Sequence, residues 1–260
     1  MLKSLNTAAT GMAAQQANMD VISNNIANVN TVGFKKSRAE FEDLVYQTIR
    51  EPGSASGANS QSPNGVQVGL GVRTAATQRD HADGGSVITK NPLDIQIEGS
   101  GFFQVLTPDG QIAYTRDGAF KKDSTGKIVD KNGNSLQPEI TVPPNVVGLT
   151  IKGGGEIEAT LDNNQITQMG QIDIATFVNP AGLRAVGKNL FLPSPSSGQP
   201  ITVKPGQNGS GTLGQGQLET SNVNIADEMV SMIMAQRAYE TNSKVMSTAD
   251  QMLQSINNLK

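Results

Sequence analysis

The sequence contains no cysteine, no tryptophan and a single histidine, His81. Without cysteine the chain has no disulfide, no thiolate metal ligand, no iron–sulfur cluster and no thiol nucleophile. One histidine leaves almost no room for a histidine-based metal site or catalytic triad. Aromatic residues make up only 4% and charged residues 17% of the 260 residues, so a single aromatic core along the whole chain is not expected.

Long apolar runs and clusters of basic residues are also missing. No run approaches the roughly 20 residues that a membrane-spanning helix needs, so no membrane insertion is predicted. The first residues, Met-Leu-Lys-Ser-Leu-Asn, carry neither a long apolar segment nor a small-residue cleavage site, so no secretory signal peptide is predicted. The net charge of -3 argues against a nucleic-acid partner that is held by phosphate neutralisation.

The N-terminal end of the chain carries a repeat of apolar side chains every seven residues. The first set of positions is Leu5, Met12, Met19 and Ile26, and the second set, three positions later, is Ala8, Gln15, Ile22 and Val29. This spacing is typical of the seam of a coiled coil. A helix over residues 1–30 is therefore predicted, although Gly11 weakens it by up to about 1 kcal/mol relative to alanine.

The C-terminal end carries a matching repeat. Asn224 is a candidate N-cap, and Asp227 lies in the first turn, where the helix dipole favours negative charge. The repeat positions are Ile225, Met232, Tyr239, Met246 and Leu253, with Ala235, Asn242, Ala249 and Ile256 at the offset of three. We predict a helix from about 225 to 257 that packs against the N-terminal helix as a coiled coil.

The region between the helices is predicted to form a mostly-β domain over residues 72–205. Its apolar runs are short, alternating or β-branched, and turn-forming residues bound them. Extended connecting segments, 31–71 and 206–222, join it to a terminal helical domain made of 1–30 and 223–260, so the predicted fold class is α+β. The polar stretch 51–65 is either a disordered loop or an element that orders only against neighbouring molecules.

Several motifs resemble chemical sites but lack the context that the chemistry needs. Residues 209–214 match the G-x-G-x-x-G pattern of dinucleotide sites, yet no helical periodicity follows them. Residues 130–135 begin like an EF-hand loop without its later Gly and Glu, so a β-hairpin turn is predicted. His81 beside Asp80 and Asp83 is interpreted as part of a solvated loop rather than an acid–base pair. No catalytic, cofactor or metal site is predicted, and the chain is interpreted as non-enzymatic.

Three separate segments resemble bacterial flagellar rod and hook proteins, and together they cover essentially the whole chain. The segments 4–35 and 219–253 resemble the N-terminal and C-terminal signatures of that family, and 101–105 with 114–120 is similar to its core β domain. The signature residues are Asn24, Asn25, Asn28, Asn30, Gly33 and Phe34 near the start, and Asn222, Asn224, Arg237 and Tyr239 near the end.

Within this family, the chain length and the segments 41–48 and 69–73 resemble the subunits of the distal rod. The resemblance implies a structural subunit that polymerises helically into the distal rod. This rod is a drive shaft that spans the periplasm and transmits torque from the motor to the hook. It implies contacts with other copies of the chain, proximal rod subunits, the hook or hook-junction protein and the surrounding ring proteins. It also implies export through the flagellar type III apparatus without a cleaved signal peptide. The stretch 51–65 falls where distal rod subunits carry a rod-specific insertion.

The apolar side chains of the two terminal helices are predicted to form the subunit interface. The predicted residues are Leu5, Met12, Met19, Ile22, Ile26, Val29, Ile225, Met229, Met232, Tyr239, Met246, Leu253 and Ile256. Gln15 and Asn242, which are polar residues at repeat positions, are predicted to fix the register.

Other interpretations stay open at this point. The chain can be another rod or hook subunit, such as a proximal rod or hook protein. A secreted β-rich adhesin or a phage-tail-type structural protein fits the composition but does not need heptads at both ends. A cytoplasmic hydrolase fits the size but needs an acid–base site that the sequence does not show.

Overall fold

The protein is described by a computed structural model that covers residues 2–52, 55–57, 60–61, 63–162 and 164–258. The chain divides into two compact units. Unit 1 comprises Met1–Ala27, Ser37–Gln78 and Asn224–Lys260, and unit 2 comprises Asn28–Lys36 and Arg79–Val223. Two long helices and a central β-rich region confirm the predicted α+β class.

Unit 1 contains both long helices, α1 (Leu2–Ala27) and α2 (Ile225–Asn258). The side chain of Asn224 accepts a hydrogen bond from the amide of Ala226 at 3.1 Å, and its carbonyl accepts one from Glu228 at 3.1 Å. Asp227 and Glu228 place negative charge in the first turn of α2, where the helix dipole favours it. The predicted N-cap is therefore confirmed. The helix α1 ends at Ala27, so Val29 lies beyond it.

Three strand pairs complete unit 1. The strand β1 (Ser37–Asp43) pairs with β6 (Val72–Arg79), β2 (Tyr46–Arg50) runs antiparallel to β5 (Val66–Gly69), and β3 (Ala55–Gly57) runs antiparallel to β4 (Ser60–Gln61). The polar stretch 51–65 lies only partly within the described residues, which include β3 and β4.

Unit 2 is built from short strands and one 3-10 turn at Pro180–Gly182. The strands are β7 (Ser86–Ile88), β8 (Ile95–Glu98), β9 (Phe102–Leu106), β10 (Ile112–Thr115), β11 (Lys121–Lys122), β12 (Ile128–Val129), β13 (Ser135–Gln137), β14 (Val146–Ile151), β15 (Glu156–Leu161), β16 (Ile166–Gln171), β17 (Ile174–Thr176), β18 (Arg184–Gly187), β19 (Leu190–Leu192), β20 (Ile201–Val203), β21 (Thr212–Gln215) and β22 (Gln217–Glu219). The main sheet follows the order β11-β12-β13-β9-β10-β19-β18, and β17 pairs with both β9 and β20. A second sheet has the order β14-β15-β16, and the pairs β21-β8 and β22-β7 stand beside them.

The strand β9 holds the centre of unit 2 because both of its faces are covered. Successive side chains of a strand point to opposite faces. Phe103 and Val105 accordingly pack into the larger apolar core, whereas Phe102 packs into a second cluster with Tyr114 and Phe177. A strand that is buried on both faces is a nearly continuous apolar run rather than an alternating one.

The motifs that resemble chemical sites form turns and strands. In the hairpin between β12 and β13, Asp130 accepts hydrogen bonds from the amides of Asn132 at 2.7 Å and Asn134 at 2.9 Å, as the hairpin prediction requires. Residues 209–214 lead into β21, which pairs with β8. Among the described residues, no cluster of His, Cys, Asp or Glu is arranged to hold a metal ion. No described helix combines the length and the apolar character that crossing a membrane requires.

Candidate assembly surface and buried polar junction

The two helices of unit 1 pack against each other through small side chains. Ala8, Ala14, Ala235 and Ala249 are all buried, and all but Ala14 occupy repeat positions. The same contact explains why a glycine occupies position 11. A Cβ built on Gly11 would lie 3.0 Å from Nδ2 of Asn242, so a larger side chain has little room there. The glycine that weakens α1 as an isolated helix therefore permits a close approach to a polar repeat position of α2.

The predicted interface residues have two kinds of environment in unit 1. Most of them are half-buried or buried, and these are Leu5, Met12, Met19, Ile22, Ile26, Met232, Tyr239, Met246 and Leu253. Ile225 and Met229 are instead exposed. Val29 belongs to unit 2 and is half-buried, and the side chain of Ile256 lies outside the described part. The contact of these residues with another subunit stays a prediction.

A second set of large apolar side chains on α2 is exposed and was not predicted. Val230, Ile233, Met234, Val245 and Met252 lie off the seven-residue repeat, and each exposes close to half of its surface or more. The repeat gave no reason to single them out, because none of them occupies a repeat position. Together with Ile225 and Met229, they make α2 apolar on more than the side that packs against α1.

The signature residue Asn25 ties three elements of unit 1 together. Its buried side chain accepts a hydrogen bond from the amide of Ser37 at 2.9 Å and donates to the carbonyl of Ser37 at 2.7 Å. It also donates to Oε2 of Glu228 at 3.2 Å. An asparagine fits here because its amide supplies a donor and an acceptor on one side chain.

The other signature residues fall into turns, caps and helix surfaces. Asn28 accepts a hydrogen bond from the hydroxyl of Thr31 at 3.1 Å, and Phe34 donates its amide to the carbonyl of Thr31 at 3.2 Å. Asn24, Asn30 and Arg237 are exposed, and Tyr239 is half-buried. The geometry assigns no shared site to them.

Unit 2 contains a buried group of charged side chains, which we call the polar junction: Lys35, Arg116 and Glu219. The ammonium of Lys35 lies 2.5 Å from Oε1 of Glu219, and both side chains are fully buried. Arg116 lies 3.5 Å from Oε2 of the same carboxylate and donates to the carbonyl of Gly99 at 2.6 Å. Burial lowers the pKa of Lys35, with a further contribution from Arg116, and Glu219 opposes both effects.

The polar junction fastens three separate segments of unit 2 to one another. Lys35 also donates to the carbonyl of Ala82 at 2.7 Å, and Glu219 accepts from the amide of Gly84 at 3.0 Å. The signature residue Asn222 accepts from the amide of Lys36 at 2.7 Å and donates to the carbonyl of Ala82 at 3.2 Å. The segments 33–36, 80–84 and 219–222 are therefore held in fixed register by polar contacts, of which the pair of Lys35 and Glu219 is fully buried.

Lys35 and Glu219 are the last residue of the segment 4–35 and the first residue of the segment 219–253, and neither was predicted as a site residue. Charged side chains are rarely buried unless they are paired, so each one alone is interpreted as solvated. The signal that could have found them is their joint presence at the ends of the two signatures with opposite charges.

His81 lies in a loop, as predicted, but the expectation that its side chain is solvated is wrong, because the residue is half-buried. Its ring packs edge-on against Phe102 and Phe191, with centroid distances of 5.6 Å and 6.0 Å. Its Nδ1 is buried and has no hydrogen-bond partner among the described residues. Burial, followed by the positive charges of Arg79, Lys35 and Arg116, lowers the pKa of His81 to about 4, while Asp80 opposes the shift.

This environment predicts a loss of stability on acidification. An unfolded His81 takes up a proton near pH 6.5 and the folded one near pH 4, so the unfolded state binds more protons between these values. The free energy of unfolding should therefore fall by about 3 kcal/mol from this residue as the pH drops through that window. Urea unfolding at about pH 7 and about pH 4 should show this loss in the wild type and not in His81→Leu. Equal losses in the two proteins would contradict it, since their carboxylates are the same.

Sequence profiles of three families match separate parts of the chain. They are described as flagella basal body rod protein, over residues 5–35, flagellar hook protein FlgE/F/G D1 domain, over 96–159, and flagellar basal body rod FlgEFG protein C-terminal, over 215–259. The first of these includes most of α1, the last includes all of α2, and the second starts in β8 and ends in β15.

Full-length relatives decide the assignment. The flagellar basal-body rod protein FlgG of Buchnera aphidicola subsp. Acyrthosiphon pisum is 50% identical over 260 residues, which is 100% of each chain. The chain belongs to the FlgG family. The FlgG protein of Borreliella burgdorferi is 51% identical over 263 residues, covering 100% of this chain and 99% of the relative, and that of Caulobacter vibrioides is 49% identical over 261 residues and covers 100% of both.

Membership in the FlgG family makes the chain a structural subunit of the flagellar basal-body rod, so the interpretation as a rod subunit is confirmed. A family of structural rod proteins also implies a non-enzymatic role. A crystal structure of Helicobacter pylori flagellar hook protein FlgE2 aligns with a TM-score of 0.26 and 15% identity, covering 71% of this chain and 43% of that one. An alignment this weak carries no argument about the fold.

Proposed function

We propose that the chain polymerises helically with copies of itself into the distal rod of the flagellar basal body and there transmits torque from the motor to the hook. The subunit is exported by the flagellar type III apparatus without a cleaved signal peptide. Proximal rod subunits, the hook or hook-junction protein and the surrounding ring proteins are its neighbours.

The observation that carries this proposal is the concentration of exposed large apolar side chains in unit 1. They are Phe41, Val45, Tyr46, Ile49, Val66 and Leu70 on and beside the strands, and Ile225, Met229, Val230, Ile233, Met234, Val245 and Met252 on α2. Seven of these side chains lie on the single helix α2, and grouped exposed apolar side chains are typical of a site of protein association. Contacts between different faces of successive copies that do not close into a ring generate a helical filament.

Within the subunit, we propose that α1 and α2 pair as a coiled coil. The repeat positions Ala8, Ile22, Ala235 and Ala249 are buried, as the two seams require. In this pairing, α1 holds α2 in place through the seam, while the exposed apolar residues of α2 stay available for contact with another subunit. Assembly therefore depends first on the seam and then on the outer face of α2.

Replacing both Met232 and Tyr239 by aspartate tests the proposal. Each aspartate puts a charge into a half-buried apolar seam, at a cost of about 1–3 kcal/mol per site. Cells that produce Met232→Asp/Tyr239→Asp should lack hook–basal bodies in electron micrographs and should not swim. Unit 2 should stay folded, because neither residue belongs to it.

The matched control is Gln236→Asp/Ser243→Asp, which adds the same charge to the same helix at the same spacing of seven. Gln236 and Ser243 are both exposed, so this variant should leave the seam intact and assemble far better than the seam variant. Normal rods in the seam variant would refute the proposed role of the helix pair.

A further inference from the structure

Asparagine directly before glycine is prone to deamidation, because glycine has no side chain that shields its amide nitrogen from the neighbouring side chain. The sequence has three such pairs, at 64–65, 132–133 and 208–209, and by itself gives no order of reactivity among them. Unit 2 contains the last two, and both Asn132 and Asn208 are exposed. These two pairs occupy different positions in their turns, and the difference determines which one can react.

In the turn 130–133, the glycine is the last residue. The amide of Gly133 donates the hydrogen bond that closes the turn, to the carbonyl of Asp130 at 3.1 Å. The side chain of Asn132 is held as well, because its amide group donates to Oδ2 of Asp130 at 3.4 Å. The nitrogen that would attack and the side-chain amide that would be attacked are therefore both engaged in hydrogen bonds.

In the turn 207–210, the glycine is the third residue, and the closing hydrogen bond runs from the amide of Ser210 to the carbonyl of Gln207 at 2.9 Å. Asn208 and Gly209 are the two central residues, with φ of +52 and +76, which is the pattern of a type I′ turn. Among the described residues, neither the Gly209 amide nor the Asn208 side chain has a hydrogen-bond partner. No described atom lies within 4 Å of a Cβ built on Gly209 either, so the attacking nitrogen is open to solvent and to the Asn208 side chain.

We propose that Asn208 and Gly209 form a self-modification site, at which Asn208 loses ammonia and becomes an aspartyl or isoaspartyl residue. The amide nitrogen of Gly209 gives up its proton to hydroxide and attacks Cγ of Asn208. The side-chain nitrogen takes up a proton from water and leaves as ammonia, and a five-membered succinimide is formed. Water then adds to one of the two ring carbonyl carbons and opens the ring. One water is consumed and one ammonia is released, with no change of oxidation state.

The modification changes both the charge and the length of the turn. The new carboxylic acid is ionised at neutral pH, so each modified chain carries one more negative charge than the unmodified net charge of -3. An isoaspartyl product also adds one methylene to the backbone. The turn is closely bonded around this point, since the hydroxyl of Ser210 donates to the carbonyl of Lys204 at 3.1 Å. None of these steps requires assembly, so the site is independent of the proposed function.

Incubation of the purified full-length chain at mildly alkaline pH, followed by peptide mass spectrometry over time, tests the site. In the folded chain, Asn208 should deamidate about tenfold faster than Asn132, because Gly133 and Asn132 must first break their hydrogen bonds. In guanidinium, which unfolds the chain, the two rates should become similar, because the same pair of residues then reacts without a turn.

Gly209→Ala should slow the reaction at Asn208, because a methyl group then shields the attacking nitrogen, and should leave the rate at Asn132 unchanged. The matched control is Gly110→Ala, at another glycine with positive φ and no described atom within 4 Å of a built Cβ. This control should leave both rates as in the wild type.

Equal rates in the folded wild type, or faster loss at Asn132, would overturn the proposal. A preference for Asn208 that persists unchanged in guanidinium would overturn it too, because the preference would then come from the flanking sequence and not from the turn. Chromatography of the modified peptide tests the route, since a succinimide opens to two isomers of equal mass and direct hydrolysis gives one. A single isomer, or an unchanged rate in Gly209→Ala, would refute attack by the Gly209 amide.

Discussion

Lys35→Met should destabilise unit 2 by about 3–5 kcal/mol, because it removes one partner of a fully buried ion pair. Lys35 lies 2.5 Å from Oε1 of Glu219, and neither side chain reaches solvent. Methionine fills a similar volume but leaves the carboxylate, among the described residues, with only the more distant Arg116, at 3.5 Å, as a charged partner. It also leaves the carbonyl of Ala82 without the donor at 2.7 Å. The remaining charge of Arg116 places the expected value toward the lower end of that range.

Urea unfolding of the full-length chain, followed by circular dichroism, measures this loss. The control is Lys127→Met, which breaks the pair between Lys127 and Glu139 at 2.9 Å, where both side chains are more than 40% exposed. Exposed pairs contribute little, so this control should unfold close to the wild type. The double variant Lys35→Met/Glu219→Gln should be less destabilised than the sum of its single variants. Additive losses would contradict a direct interaction between the two groups.

The terminal helices could be predicted from the sequence because their signals are local. The repeat of seven and the cap at Asn224 together define α2, which begins at Ile225. The apolar run Phe102–Leu106 likewise marks β9. In each case, neighbouring residues in the chain carry the information.

The polar junction and the packing of His81 could not be predicted in the same way, because their partners are remote in sequence. Lys35 and Glu219 are separated by 184 positions. His81 meets Phe102 and Phe191, which come from two different strands. The exposed face of α2 was missed for another reason. The repeat assigns apolar residues to the seam, and it is silent about Val230 and Met234, which lie off it.

Gly33→Ala should also weaken unit 2 strongly, by about 2–4 kcal/mol, because two separate costs add there. Gly33 has φ +66, a conformation that disfavours any side chain. A Cβ at this position would stand 2.7 Å from the carbonyl carbon of Arg116 and 2.8 Å from the amide of Asp117, and both are backbone atoms. Relief of this contact requires a shift of the backbone beside the polar junction or of the hydrogen bond from Gly33 to the carbonyl of Glu219, at 2.9 Å.

Gly110→Ala separates the two costs, because it incurs the cost of a side chain at positive φ without the cost of a close contact with other atoms. Gly110 has φ +77 and also belongs to unit 2, but no atom in the described part of the chain lies within 4 Å of a Cβ built on it. Its loss should be about 1 kcal/mol, which is the price of the backbone conformation alone. Urea unfolding of both variants measures the difference, which should be about 1–3 kcal/mol. Equal losses would mean that the segment 33–36 moves aside at no cost, and the junction would then not hold this segment in fixed register.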